Sequence, residues 1–433
     1  MCFKLMMAAG KITMSQAMFI GLGNIIGAGI FVLAGTAIHI AGPGALLAFI
    51  ITATLATTVA LNSAELSSKV VAHGGLYSFV RTTMGDAMGF IVGWLRAISY
   101  AIAAAAVSLG FSSYVGVLLH TENFMIPISI IMIVAVAFVD YSGLRLVARI
   151  EQYLVFITVG GLAAFIVASL FYGSWKASSF TPLLPGGFSG LIVAASLAFF
   201  AYSGFNTIAT LTPEVEDGQR NVPRAIIISL VISTVLYILV VAGMLAMMPW
   251  TLYGITANPL SNAIQYSHAP QLLNYVVSGV AIIATLTVTM SLVVAGSRTL
   301  LQMAEDGMLP SWVAGRHADS PRRGVLVICM LAVLSLFIGN LKYIALASNF
   351  GVVFSYALTG LAVVILRRRG VGGAFESPFY PALQVVSVVL SFVVMAALGE
   401  QALYLGTLMI LSGVITYGFV RGRASHRSMD EGT

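Results

Sequence analysis

The chain has 433 residues, of which 59% are hydrophobic and only 8% charged, and its mean hydropathy is +1.00. Soluble domains carry about a quarter charged residues, so these figures exclude a folded soluble domain and require a polytopic membrane protein. The net charge of +6 does not point to nucleic acid, because Lys and Arg are scattered between apolar runs and do not cluster with aromatics on one face.

Apolar runs near 20 residues recur along the chain, the length that a hydrocarbon core about 30 Å thick demands of a helix. In chain order they predict spans over 15–41, 44–66, 88–119, 126–141, 150–172, 188–212, 225–247, 272–300, 325–340, 343–366, 383–399 and 403–420, an all-α fold of about twelve transmembrane helices. Residues 1–14 read as a short N-terminal segment and not as a removable signal peptide. An even number of spans puts both termini on one side. Taking that side as the cytoplasm leaves only Lys176 and Lys342 outside, as the positive-inside rule requires. Arg96 and Arg298 then fall near the inner ends of their spans, and Arg96, a turn or two inside the third, is expected to snorkel to the interface. Loops 67–87 and 301–324 are long enough for a short interfacial helix. Loop 248–271, free of Lys, Arg, Asp and Glu, is expected to form either a helical cap or a plain packed loop. Cys2 and Cys329 have no metal or disulfide spacing.

The first span carries GNIIGAGIF at 23–31, with glycines that cost an ordinary helix interior about 1 kcal/mol each. A dinucleotide fingerprint is excluded by the spacing and by the lack of a strand. Gly23 and Gly27 form a G-x-x-x-G pair, which in a membrane helix usually means close helix packing. The sixth span is interrupted in a similar way by AFFAYSGFN at 198–206. Paired interruptions in corresponding spans point to a transporter site, since unwinding exposes backbone groups and half-helix ends to a ligand. The two breaks head blocks 15–172 and 188–366, each of five helices, and an odd count obliges the second block to insert upside down. Residues 367–420 add helices eleven and twelve to the 15–366 core, and 421–433 form a tail.

The chain also carries Ala64-Glu65-Leu66-Ser67-Ser68, Gly74-Gly75-Leu76-Tyr77, Gly93-Trp94, the stretch FFAYSGFNTIATLTPEVEDGQRNVPRAI from Phe199 to Ile227, Ser297-Arg298, and Ala304-Glu305-Asp306-Gly307-Met308-Leu309-Pro310. With Gly23–Phe31, in this order and over about three hundred residues, they resemble the amino acid-polyamine-organocation transporters. That resemblance implies the five-plus-five inverted-repeat fold of leucine-type transporters, with broken helices one and six. It implies that N–H groups of Ile26, Gly27, Ala28, Gly29 and Ile30 hold a substrate α-carboxylate. Carbonyls around Ile25 and Ile26, and from Phe199, Phe200, Ala201 and Tyr202, would meet the α-ammonium. Gly204 marks the sixth-helix break, and glycine at such breaks would let a ligand approach the backbone. Phe200, Tyr202 and Phe205 could close over the substrate or simply pack. Asn206, where relatives carrying cationic amino acids often have an acid, argues against a cationic substrate.

Some proton-coupled relatives place a lysine in the fifth helix; the matching residue here is Thr158. A cation site would need carbonyls of Gly23 and Ile26 with hydroxyls from TLTVTMS in the eighth span, such as Thr287, Thr289 and Ser291, although such hydroxyls commonly bond their own i−4 carbonyl. Glu65 is expected to be structural or gate-forming, and Glu214, Glu216, Asp217, Arg220 and Arg224 to form an ion-pair gate or a solvated loop. No P-loop, H-x-x-x-H or Cys/His cluster supports an enzyme, a metal or a cofactor beyond a coupling proton or sodium ion. The expectation is a plasma-membrane secondary transporter, proton- or cation-coupled, that moves a small neutral amino acid by alternating access. The alternatives are an amino acid/amine exchanger without ion coupling, and a membrane amino acid sensor.

Overall fold

A computed structural model of the chain describes residues 12–27, 29–72, 74–119, 124–141, 144–314, 321–338 and 341–430. The expectations for Cys2 and Ala28 lie outside these residues. Apart from one isolated bridge between Ile12 and Val215, the described residues form helices and their connections.

Eight of the helical stretches are long and apolar enough to cross a membrane. The first, Met14–Lys69, has 56 residues and would measure about 84 Å if straight, at 1.5 Å per residue, so it must fold back. It does so at Gly42-Pro43-Gly44, where Gly42 takes a φ of +59°. A capping box between Thr13 and Gln16 starts α1 (Met14–Ile25), which continues after a break through a π turn (Gly29–Leu33) into α2 (Ala34–Ala41). The chain then runs through α3 (Ala45–Lys69), the short α4 (Leu76–Met84), α5 (Asp86–Leu119), α6 (Met125–Tyr141) and α7 (Leu144–Tyr172). The second half comprises α8 (Gly187–Tyr202) with a 3-10 continuation (Ser203–Glu214), α9 (Gly218–Met247), the short α10 (Pro259–Tyr266), α11 (Gln271–Glu305), α12 (Arg322–Ser335) and α13 (Leu341–Arg368). Two further helices, α14 (Ala382–Ala396) and α15 (Glu400–Asp430), follow. With the shorter apolar helices α6 and α14, and with α12 at the ninth predicted span, the twelve predicted spans each have a helix. The last helix runs ten residues past its predicted end at 420.

Packing repeats between the halves. The third span (α5) lies on the eighth (α11), and the second (α3) on the seventh (α9). The first span (α1) packs on the seventh (α9), while the sixth (α8) packs on the second (α3). The tenth (α13) packs on the third (α5), while the fifth (α7) packs on the eighth (α11). Exchanging each helix for the one five places on maps this set onto itself, as two five-helix halves related by a pseudo-twofold axis require. Large apolar side chains such as Phe138, Phe171 and Phe419 project outward from α6, α7 and α15, a surface suited to lipid.

Charged groups gather at one face. Glu65, fully buried near the end of α3, accepts from Lys69 Nζ at 2.7 Å and from Arg367 Nε and Nη2 at 2.7 and 2.8 Å. Its second oxygen also accepts from the backbone N–H of Ser377 at 2.8 Å and from the Ser377 hydroxyl. This ties α3 to α13 and to the segment leading into α14. The predicted interfacial helix is α4. Its Tyr77 hydroxyl donates to Asp306 at 2.8 Å and its Arg81 pairs with Asp306 at 2.7 Å and Asp86 at 2.9 Å. Burial, and then the Asp306 carboxylate, hold the Tyr77 hydroxyl well above the ordinary phenol range, so it remains a donor. By contrast Arg220 and Asp217 are exposed and 3.9 Å apart, a solvated pair worth little.

On the opposite side, loop 248–271 forms α10 as a packed cap. A Cβ on Gly35 of α2 would overlap Pro259, and His39 Nδ1 donates to the Tyr253 carbonyl at 2.7 Å.

Removing one partner of a buried, fully hydrogen-bonded ion pair costs about 3–5 kcal/mol. Glu65→Gln is therefore expected to lower the thermal unfolding midpoint in detergent by several degrees. An unchanged midpoint would show that the Lys69 and Arg367 pairs contribute nothing.

Candidate substrate site

The two interruptions read from the sequence are real breaks, and they touch. Helix α1 ends at Ile25, with Ile26 leaving helical geometry at φ −79°, ψ 88°. Helix α8 ends at Tyr202 and continues as a 3-10 helix of 12 residues, long for a geometry that rarely persists beyond 3–4. A Cβ on Gly29 would overlap the backbone of Ala201, and one on Gly204 would overlap the Asn24 carbonyl. Gly27 faces Val288 of α11 in the same way. These three glycines allow backbones and helices to approach, which is the packing role weighed for the G-x-x-x-G pair, and protein fills the space directly over them.

Breaking a helix away from water frees carbonyls that the protein must satisfy. Three tyrosines do this. Tyr237 of α9 shares its single O–H between the carbonyls of both breaks, Ile25 and, at 3.1 Å, Ala201. Tyr114 of α5 donates to the Phe31 carbonyl, and Tyr356 of α13 donates to the Ser203 carbonyl at 2.9 Å. The Ile25 and Ala201 carbonyls, expected to meet a substrate ammonium, thus each have a protein donor already. Sequence reasoning missed these tyrosines. The available signal was a single hydroxyl-bearing ring within a span, as in STVLYILVV at 233–241.

Beside the crossing lies a small cavity. Asn24, Ile25 and Gly29 line it from the first span, and Phe200, Ser203, Gly204 and Thr207 from the sixth. Helix α5 contributes Arg96, Ser99, Tyr100 and Ala103, a stripe at i, i+3, i+4 and i+7, which is one helical face. Helix α11 adds Val288, Ser291 and Leu292, and α13 adds Ser348 and Val352. The free space is about 20 Å³ for the centre of a water-sized sphere, enough for one water and not for an amino acid. Admission of a solute therefore requires these helices to move apart.

Of the residues expected to bind substrate, Ile25, Gly29, Phe200 and Gly204 line this cavity, as does Ser291 from the expected cation site. Ile26, Gly27, Ile30, Phe199, Ala201, Tyr202, Phe205 and Asn206 are buried around it without lining it. Phe199 and Phe205 pack on Tyr356 at 5.6 and 5.5 Å, and Tyr202 packs on Tyr237 at 5.2 Å. Gly23 is buried in the last turns of α1. The hydroxyls of Thr158, Thr287 and Thr289 donate to the carbonyls of Leu154, Ile283 and Thr285, each in its own helix. No group of His, Cys, Asp and Glu able to hold a metal occurs among the described residues.

Arg96 corrects one expectation. It does not snorkel. Its side chain is 3% exposed, lines the cavity, and donates to the Tyr100 hydroxyl, with its guanidinium 4.3 Å from the Tyr100 ring and 5.7 Å from that of Tyr356. The reason is its place on the inward stripe of α5, whose outward faces are covered by neighbouring helices.

Tyr237→Phe would remove the one O–H that the two break carbonyls share, a loss of about 1–3 kcal/mol for a buried group left unpaired. The expected result is a lower thermal midpoint together with lost solute binding. Gly204→Ala should give the same outcome by forcing the breaks apart. Unaltered stability and binding in both variants would show that the crossing is not needed.

A membrane protein whose two broken helices cross beside a small cavity with a few polar groups in its lining belongs, as a class, with the secondary transporters built from repeated halves. The chain belongs to the amino acid permease family, whose model matches residues 16–367. It is 30% identical to a branched-chain amino acid permease of Lactococcus lactis, over 94% of this chain and 93% of that relative. Identity is also 30% to a methylthioribose transporter of Bacillus subtilis, over 85% and 84% of the two chains. A human cationic amino acid transporter is 28% identical over 80% of this chain and 58% of its own length. The family and these relatives are membrane transporters, not enzymes.

Proposed function

We propose that this protein is a secondary transporter that moves a small amino acid across the plasma membrane by alternating access. The observation that carries the reading is the direct crossing of the two helix breaks beside a cavity lined by the buried Asn24, Arg96, Ser99 and Ser348. The cavity is too small for a solute in the present arrangement, which fits a cycle in which the site opens to one side at a time. The cap at α10 and the ionic face around Glu65 and Asp306 stand at opposite ends of such a path.

The substrate class follows from charge. The cavity is lined by one cation, Arg96, and by no carboxylate. Lysine or arginine would bring a second positive charge into a poorly hydrated site, at large cost. Asn206, buried beside the sixth-helix break, adds no negative charge. A small amino acid without a cationic side chain is the best fit, in keeping with the branched-chain permeases among the relatives. The distribution of Lys and Arg supports a cytoplasmic position for both termini.

Coupling to a proton or cation is one reading. Exchange without an ion is the alternative, and it is supported by the residue at the fifth-span position where some proton-coupled relatives carry a lysine: here it is Thr158, whose hydroxyl donates to the Leu154 carbonyl.

Proteoliposome uptake of labelled amino acids under imposed proton and sodium gradients tests both. Leucine, isoleucine and valine should enter at least tenfold faster than lysine or arginine. Stimulation by internal amino acid, with no response to either gradient, is expected for exchange. Acceleration by one gradient would establish coupling, and binding without flux would leave a sensor as the correct reading.

A further inference from the structure

We infer that Arg96 is a substrate-binding residue whose guanidinium takes a carboxylate of the transported molecule; this rests on the transport reading above. A guanidinium cannot lose its proton to escape a buried site, so a buried Arg needs an anion or a set of acceptors. Arg96 is 3% exposed, and its guanidinium meets the hydroxyls and the rings of Tyr100 and Tyr356, all of them neutral groups. Two aromatic faces offset part of the cost of burial and supply no opposite charge. Its Nη1 has no hydrogen-bond partner.

The buried and half-buried acids of the ionic face have other partners. Glu65 is held by Lys69 and Arg367, and Asp306 by Arg81 and Tyr77. Two more buried groups lining the same cavity also lack partners: Asn24 Nδ2 at 8% residue exposure and Ser99 Oγ at 1%. An amide N–H, a hydroxyl and a guanidinium N–H are all donors. Three unpartnered donors, one of them cationic, around one cavity match a carboxylate, whose two oxygens suit the fork of an arginine.

The carboxylate has two possible sources, the α-carboxylate that every amino acid carries or a second one in its side chain. Arg96 thereby acts on selectivity as well as affinity, because the same charge that holds an anion repels a cation.

The test is ligand binding to the purified full chain in lipid nanodiscs, with L-leucine against L-leucinamide and L-glutamate against L-glutamine, for wild type, Arg96→Gln and Arg96→Lys. Separating one member of a buried charge pair typically lowers affinity about 30-fold or more. Wild type should prefer the acid over the amide by about that factor, and Arg96→Gln should collapse the preference. A collapse in the leucine pair assigns Arg96 to the α-carboxylate, and one in the glutamate pair to the side chain. Arg96→Lys, which keeps the charge, should retain the preference at reduced affinity. Equal losses for acid and amide in Arg96→Gln would mark a structural role and overturn the inference. The absence of any acid-over-amide preference in wild type overturns it without a variant. Wild type that binds no amino acid at all would remove the transport reading as well.

Discussion

A helix that breaks within a hydrocarbon layer frees backbone groups that water cannot reach, and much of this structure is arranged to satisfy them. Tyr114, Tyr237 and Tyr356 come from three different helices, and each delivers a hydroxyl to a carbonyl at or beside a break. Tyr237 bonds to both breaks and so also fixes their separation. An aliphatic ring of neighbours would leave those carbonyls unpaired, and continuous helices would then be the more stable arrangement. The broken pair persists because α5, α9 and α13 supply the missing donors.

The crossing depends equally on what is absent from it. Gly29 against Ala201 and Gly204 against Asn24 bring two backbones within the width of a missing side chain. Here the apparent choice between packing seam and binding site dissolves. Close packing of the breaks creates the small cavity beside them, and the cavity is walled by one stripe each from α5, α11 and α13. The packed cap at α10 and the ionic face lie on the two sides of this crossing.

That ionic face gives a physical role to several of the family-like motifs. Glu65 of AELSSK, Tyr77 of GGLY and Asp306 of AEDGMLP are partners in two charge clusters that join α3 to α13 and α4 to α11. Charges buried this deeply must be paired. Arg96 is the exception in the cavity, a cation stabilised by aromatic faces and a hydroxyl, and it sets the electrostatic character of the site.

What the sequence determined by itself was set by periodicity and composition. Apolar runs of membrane length gave the twelve spans, and Gly27 with Gly29 in one span and Ser203-Gly204 in another marked where two of them could not stay helical, because these signals are local. Phe200, Gly204, Ile25 and Gly29 were within reach for the same reason. The rest was decided by tertiary structure. Whether a polar residue in a span faces lipid, its own helix or a cavity depends on which neighbours cover each face. That is why Thr158 and Thr287 bond within their own helices, and why Arg96 turns inward. The tyrosines that hold the breaks lie some 80 to 210 residues from the carbonyls they satisfy in three of their four hydrogen bonds, roughly as their sequence separations of 83, 212 and 153 show; no local pattern encodes such a partnership, because it exists only once the helices have packed.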